Sequence, residues 1–280
     1  MNPKYLLDMF DIAPKKSLGQ NFLHDPNALE KIVSVADLQP DDTVLEIGPG
    51  TGALTVKLAQ SAGRVVAVEI DERLIRPLRR QVGAFANVEI ICANFLELDF
   101  EPLFGGREYK VVANLPYYIT TLILRRLLEA RHKPRRLVLT VQQEVAERMV
   151  AAPGDMSLLA VSVQFYGAAR ILTTFPPAVF WPRPEVASAV VRIDTYDQPP
   201  VEVQDEAQFF RVARAGFGQK RKQLKNALGA GLGLTHGDAM ALLDSAGIDP
   251  TRRAETLSLS EWAALARALS GRQVYTDAPS

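Results

Sequence analysis

The stretch Leu45-Glu-Ile-Gly48-Pro-Gly50-Thr-Gly52 decides how this chain is read, because an apolar run ends there and a helical pattern begins. Thr43 to Ile47 before it reads as a β-strand, and Ala53 to Ser61 after it as an α-helix. Glycines at such a junction let the backbone pass close to a ligand and open the helix N-terminus. Alone they say little, since tight strand-to-helix turns need glycine anyway. About 20 residues further on, Glu69 closes a second apolar strand, Val65-Val-Ala-Val-Glu69. A carboxylate there can accept both hydroxyls of a ribose. The competing reading is a solvated strand-end acid, and the glycines placed before it favour the ribose.

The same alternation extends along the chain. Arg64 to Ile70, Val88 to Cys92, Lys110 to Ala113 and Leu137 to Val141 read as strands. Glu72 to Val82, Ile119 to Glu129 and Glu144 to Ala151 read as helices between and after them. Fully apolar strands separated by helices imply a parallel sheet covered on both faces. Ser157 to Tyr166 and Val186 to Ile193 are expected to be closing strands. Asp197-Gln-Pro-Pro200 reads as a linker, and helices are expected beyond it at Glu206 to Phe217, Lys220 to Leu228, Asp238 to Ala246 and Ser260 to Leu269. Thr235 and Ser260 are candidate helix caps. Residues from Arg272 to Ser280 are expected to fray.

Composition narrows the class. A chain of 280 residues with 48% hydrophobic content fits one large or two ordinary domains. The single cysteine, Cys92, excludes an intrachain disulfide and points to a reducing compartment. No N-terminal apolar run is long enough for a signal peptide or a membrane span, so a soluble cytoplasmic protein without membrane partners is expected. Lys plus Arg and Asp plus Glu balance at 32 each, which argues against a coat of nucleic acid but leaves room for a local basic face. His24, His132 and His236 lie in no catalytic or metal pattern, and no Cys/His cluster suggests zinc, so no metal is expected.

Nicotinamide dinucleotides and S-adenosylmethionine both use a glycine turn followed by an acidic strand end. Here the spacing is E-x-G-x-G-x-G rather than G-x-G-x-x-G, and Pro49 removes a backbone donor that a pyrophosphate would want. The run Asn114-Leu115-Pro116-Tyr117 at the end of another strand has no counterpart in a simple hydride-transfer site. It suits an amino group on a flat ring. The Asn114 side-chain oxygen can accept one hydrogen bond, Pro116 biases Leu115 toward an extended conformation that aims its carbonyl, and Tyr117 offers a stacking face. An Asn-Pro turn is the ordinary alternative. Together these features indicate S-adenosylmethionine.

Further motifs make a family resemblance specific. Lys16-Ser-Leu-Gly-Gln20-Asn21-Phe-Leu23, Phe180-Trp-Pro182-Arg-Pro184-Glu-Val-Ala-Ser188-Ala-Val-Val and Phe217-Gly-Gln219-Lys-Arg-Lys-Gln-Leu-Lys-Asn226 fall in order with the glycine turn and Asn114 to Tyr117. In these motifs the chain resembles the ribosomal RNA adenine dimethylase family of the bacterial small-subunit type, from about Pro14 to Trp262. The resemblance implies an α/β, Rossmann-like S-adenosylmethionine-dependent methyltransferase sheet at 1–198 and a small C-terminal helical RNA-binding domain at 199–280. It implies dimethylation of the exocyclic amines of two adjacent adenines in a 3′-terminal hairpin loop of 16S rRNA, within the immature small ribosomal subunit, by a monomer.

By the same resemblance, Asn21, Leu23, Gly48, Gly50, Glu69, Asn94 and Asn114 bind the cofactor. Asn114, Leu115, Tyr117 and Phe180 hold the target adenine, with Tyr117 and Phe180 as its two stacking faces. Lys220, Arg221, Lys222 and Lys225 face RNA, in a stretch that also holds Arg211 and Arg214. A second basic run, Arg125 to Arg136, reads as a solvated face. Two positions depart from the family pattern: Asn94 stands where an acid is usual, and Glu185 where a basic residue is common. Two other readings stand beside the leading one: a macrolide-resistance-type 23S rRNA adenine dimethylase, and a non-catalytic RNA-binding ribosome-assembly factor.

Overall fold

The computed structural model describes residues 2–276. Among the described residues the strands are β1 (Phe22–Leu23), β2 (Thr43–Ile47), β3 (Arg64–Glu69), β4 (Val88–Cys92), β5 (Lys110–Asn114), β6 (Arg136–Gln142), β7 (Gly167–Phe175), β8 (Phe180–Trp181) and β9 (Ser188–Thr195). Seven of them form one sheet in the order β4-β3-β2-β5-β6-β9-β7, while β1 and β8 pair separately. Strands β4, β3, β2, β5 and β6 run parallel, and β9 is antiparallel to β6. The inner parallel strands β3, β2, β5 and β6 are largely apolar because both faces are covered, whereas the edge strand β4 is only partly buried. Val44, Leu45, Val65, Val66, Val111, Val112, Leu137 and Val138 are all fully buried.

Chain order reverses between β2 and β5, since β3 and β4 continue on one side and β6 on the other. At such a switch point the connections leave in opposite directions and open a crevice at the carboxyl ends of the strands. The glycine turn, Glu69 and Asn114 all sit at carboxyl ends of adjacent strands, β2, β3 and β5.

The chain forms two compact units, Met1–Glu147 with Ala168–Thr195, and Arg148–Gly167 with Tyr196–Ser280. The break at Thr195 falls near the expected linker. The second unit also takes in Arg148–Gly167, which the sequence reading assigned to the first domain. In that excursion lies a correction. Leu158–Tyr166, expected as a strand, is an α-helix whose N-terminus is capped by Ser157, the side chain accepting from the Ala160 N–H at 3.2 Å. A short, mostly apolar run of this length suits a buried helix as well as a buried strand. Here it is helical, and Phe165 stacks on Phe209 with ring centroids 4.6 Å apart. The strand next in the chain, β7, was not foreseen.

The second unit is otherwise helical, at Glu206–Phe217, Leu224–Leu232, His236–Ser245 and Leu259–Thr276. Residues 218–223 form a turn and bend, not the helix start expected at Lys220. Thr235 caps as expected, accepting from Asp238 N–H. At the last helix the cap is Ser258, not Ser260. Ser258 Oγ accepts from Glu261 N–H while a Glu261 carboxylate oxygen accepts from Ser258 N–H at 2.8 Å, a reciprocal capping box. That helix runs to Thr276, so the fray expected from Arg272 does not begin there; 277–280 lie outside the described residues.

Candidate active site

A cleft of about 810 Å³, its open mouth included, lies at the switch point. Its lining brings together Asn21, Leu23, Gly48, Gly50, Glu69, Asn114, Leu115 and Tyr117 from separate parts of the chain. The glycine turn forms its floor. Gly48, Gly50 and Gly52 all have φ in the left-handed region, at 70°, 57° and 88°. They differ in what they face. A Cβ on Gly50 would lie 2.8 Å from the Phe22 ring, and one on Gly52 2.8 Å from Leu78. Those two glycines admit neighbouring side chains. A Cβ on Gly48 would meet nothing nearer than 4.0 Å, so Gly48 turns a bare backbone toward open cleft.

Glu69 is buried, and both its oxygens are occupied: Oε2 accepts from Gly50 N–H at 2.9 Å and Oε1 from Asp71 N–H at 2.8 Å. Burial raises its pKa, and these two backbone donors oppose the rise. They also fix the carboxylate plane against the glycine turn, with a further lone pair on each oxygen.

The N-terminal segment crosses this region. Asn114 Nδ2 donates to the Asn21 carbonyl at 3.1 Å, so the Asn114 amide is oriented and its Oδ1 remains an acceptor. Gln20 Nε2 donates to Asp71 Oδ2 at 2.9 Å, and Lys15 N–H donates to Gln20 Oε1 at 2.7 Å. Asp71 is buried and also pairs with Arg73, whose hydrogen bonds hold its carboxyl down at about 2. Arg73 in turn donates to the Ala13 carbonyl. The segment is thus pinned at both ends of Gln20 to Asn21.

Leu115 N–H donates to the Thr140 carbonyl, which extends the β5–β6 register past Asn114. The Tyr117 hydroxyl shares a 2.7 Å hydrogen bond with the fully buried Ser188, and burial pushes the phenol's pKa up. Ser188 was quoted within a motif but given no role by the sequence; its place opposite Gln142 on β9 supplies one. Tyr118, which no sequence argument singled out, also lines the cleft and is 56% exposed.

Two predicted residues lie elsewhere. Phe180 was expected on a partly exposed loop beside the target. It is 3% exposed, sits opposite Leu23 in the β1–β8 pair, and packs in a core cluster with Leu29, Val112 and Val190. The prolines around it shape a turn that tucks the ring inward. Asn94 does not line the cleft: its Oδ1 accepts from Leu96 N–H and its Nδ2 donates to Glu97 at 2.7 Å.

The two basic runs part company. Arg125 pairs with Glu129, Arg126 donates to the Leu98 carbonyl, Arg135 pairs with Glu108, and Arg136 with Asp37 and Asp194. Four of that run's cations are spent on their own scaffold. Lys220, Arg221 and Lys222 are exposed on the turn of the second unit, with no ion pair among the described residues, while half-buried Lys225 acts on Asp249. No group of three or more His, Cys, Asp or Glu among the described residues is arranged to hold a metal, and no described helix is long and apolar enough to cross a membrane.

Comparison with known proteins gives one answer. Residues 13–270 match the family described as ribosomal RNA adenine dimethylase. The chain is 46% identical to ribosomal RNA small subunit methyltransferase A of Dehalococcoides mccartyi, over 99% of this chain and 93% of that protein. It is 48% identical to the protein of the same name from Pelotomaculum thermopropionicum, over 91% of each. Among solved structures it is similar to the 23S rRNA methyltransferase ErmE, with a TM-score of 0.71 and 28% identity over 89% of this chain and all of that one. A dimethyladenosine transferase from Plasmodium falciparum shares the fold, with a TM-score of 0.76 at 23% identity over 90% of this chain and 98% of that one.

Proposed function

Because this chain belongs to the ribosomal RNA adenine dimethylase family, S-adenosylmethionine-dependent methyltransferases, we propose that it dimethylates two adjacent adenines in the 3′-terminal hairpin loop of 16S rRNA. The substrate is the immature small subunit, the enzyme acts as a monomer, and the compartment is the cytoplasm. The observation that carries the chemistry is the orientation of Asn114: its amide nitrogen is engaged by Asn21 and its oxygen is left to accept.

The cleft fits the cofactor on chemical grounds. Gly48 offers backbone where a Cβ would fill the space, and Glu69 presents oriented oxygens to hydroxyl donors. Asn21, Leu23 and Gly50 complete the holding residues; Asn94, outside the cleft lining and bonded to Leu96 and Glu97, is not among them. When bound, S-adenosylmethionine supplies a methyl group made electrophilic by its sulfonium.

The residues of this chain supply the rest. An adenine amine is a poor nucleophile because its lone pair is delocalised into the ring. Hydrogen bonds accepted by Asn114 Oδ1 and the Leu115 carbonyl favour a pyramidal nitrogen and stabilise the positive charge that grows on it. Tyr117, held by Ser188, stacks on the extruded base; such a face contributes roughly 1–3 kcal/mol. Positioning the amine supplies several kcal/mol more, of the order seen for well-oriented intramolecular reactions. The methylated nitrogen is acidic and loses its proton to water, so no dedicated base is required. RNA is held by Lys220, Arg221, Lys222 and Lys225. Phe180 supports the site from behind Leu23, as packing and not as a stacking face.

The 23S reading has one observation in its favour, the similarity to ErmE, but at 28% identity against 46–48% for the small-subunit proteins. The test is methyl incorporation into immature small subunits and into 23S rRNA, each prepared unmethylated. Methylation of the small subunit alone is expected. Methylation of 23S rRNA alone would overturn the substrate, and methylation of neither would favour a non-catalytic assembly factor.

A further inference from the structure

Tyr117 and Tyr118 stand side by side on one 3₁₀ turn, Tyr117–Ile119. The Tyr117 hydroxyl is anchored on the fully buried Ser188. Tyr118 lines the same cleft but is 56% exposed. A 3₁₀ turn has about three residues per revolution, so the two rings diverge and cannot face one base together. The Tyr118 ring lies instead along Gly19, where a Cβ would come within 3.3 Å of Tyr118 Cδ1. Gly19 has a left-handed φ of 59°, and its carbonyl accepts from Asn21 Nδ2 at 3.2 Å. One side of the ring is thus set against fixed backbone, while more than half of its surface stays open to solvent. Four residues on, in the helix Thr120–Leu128, Leu122 is 54% exposed. Residues four apart on a helical path are neighbours. Single exposed apolar side chains are ordinary. An aromatic followed by an aliphatic, leading away from the mouth of a site, forms an apolar ledge suited to a partner.

We propose that Tyr118 is a stacking face for the nucleotide that adjoins the target adenine, with Leu122 extending that surface. This rests on the reading of the site as one that methylates an RNA adenine, and it adds a contact for a base that is not reacting. Continuity with Tyr117 makes the occupant a base of the same strand. Once one adenine is turned out of its stack toward Asn114, the next base has lost a stacking neighbour. Its flat face is matched by an exposed aromatic, which stacks on any base. Phosphates would call for free cations instead. Tyr118 and Leu122 carry no charge, and Arg125, the next exposed cation along the helix, is paired with Glu129. Where two adjacent adenines are modified, the ledge holds one while the other reacts, and a shift of the strand by one nucleotide exchanges them. The other task open to Tyr118 is to pin the N-terminal segment through Gly19. The two tasks differ in what loss of the ring disturbs: RNA in the first case, cofactor and the N-terminal segment in the second.

The experiment is steady-state methylation of immature small subunits by the full chain, Tyr118→Ala and Tyr118→Phe. S-adenosylmethionine affinity is read by calorimetry, and trypsin cleavage after Lys15 and Lys16 by mass spectrometry. Tyr118→Ala should raise KM for the subunit by about fivefold or more, as for loss of one base stack, with cofactor affinity and cleavage unchanged. Tyr118→Phe keeps the face and should match the parent. A second arm uses subunits in which each of the two adenines in turn is replaced by uridine, a weaker stacking base. The parent's KM at the remaining adenine should rise on one of these substrates, and that rise should vanish in Tyr118→Ala. Parent kinetics in Tyr118→Ala, impairment of Tyr118→Phe equal to that of Tyr118→Ala, or a uridine penalty as large in Tyr118→Ala as in the parent overturns the proposal. So does weaker cofactor binding with faster cleavage, which makes Tyr118 a clamp on the N-terminal segment. A parent chain that methylates neither adenine overturns the reading of the site itself, a failure visible before any variant is measured.

Discussion

At the scale of single residues, the cleft separates side chains that hold from side chains that act. Asn114 does both, donating to Asn21 and offering its oxygen. Asn114→Ala is therefore expected to abolish methyl transfer, by at least about a hundredfold as for loss of a transition-state acceptor. RNA affinity measured by filter binding should stay unchanged. Ser188 acts only through Tyr117. Ser188→Ala leaves the phenol without its partner and should lower turnover by a few-fold while cofactor affinity holds, a split that single-turnover kinetics and calorimetry together can read. Glu46 gives a prediction about stability with a definite sign. Its folded-state pKa, about 8, lies above the value of an unfolded glutamate, 4.5. Its contribution is complete below 4.5 and is lost as pH rises through 8, because the folded chain keeps a proton that the unfolded chain releases. Without ligand, Glu46→Gln should thus unfold a few degrees above the parent at pH 8.5 and converge with it near pH 4.5, as read by calorimetric melting.

At the scale of elements, the site depends on how the N-terminal segment is tied down. Gln20 is the knot, bonded to Lys15 on one side and Asp71 on the other, while Phe22 rests on the bare backbone of Gly50. Gln20→Ala should leave the melting temperature nearly unchanged, because it removes hydrogen bonds at a half-buried position. Trypsin should cut faster after Lys15 and Lys16, and cofactor should bind several-fold more weakly. Cleavage at the parent rate, followed by mass spectrometry, would show that Gln20 does not hold the segment. This part of the architecture was hardly legible in the sequence. The parallel strands were legible, because β2, β3 and β5 are short apolar runs that give way to glycine, acid or asparagine, and β4 is a short run rich in β-branched residues. So was Glu206–Phe217, whose apolar positions repeat at helical spacing beside an Asp205 cap. Leu158–Tyr166 was not, since Val161-Ser-Val-Gln-Phe165 alternates apolar and polar residues at strand spacing; only its Ser157 cap marked it as a helix. Phe180 was misplaced for a related reason. Prolines suggest exposure, but the two-residue pairing of β8 with β1 that turns the ring inward is a long-range event. The Gln20–Asp71 bond spans 51 residues and leaves no local trace.

At the scale of the whole chain, the two units carry different charge economies. In the first, the basic run from Arg125 to Arg136 is drawn into pairs with Glu129, Glu108, Asp37 and Asp194. In the second, Lys220, Arg221 and Lys222 stand on a turn between two helices, exposed and without an ion pair among the described residues, with Arg211 and Arg214 exposed on the preceding helix. A net charge of zero thus conceals an uneven surface. Cations left unpaired on a turn are cheap to keep in water and release counterions when phosphates replace the solvent. Reversing Lys220, Arg221 and Lys222 to Glu should weaken binding to immature small subunits and reduce the dependence of log affinity on log salt by about one for each lost phosphate contact. It should leave the affinity for S-adenosylmethionine unchanged, because none of the three lines the cleft. Melting should move little, since no bond is broken. The measurement is RNA affinity from low to physiological salt for the triple variant and the parent. Matching slopes and affinities would remove this turn from the RNA surface. The Arg125 to Arg136 run would then have to serve despite its pairing, and phosphate contacts at Arg125, Arg135 and Arg136 would first have to displace a carboxylate.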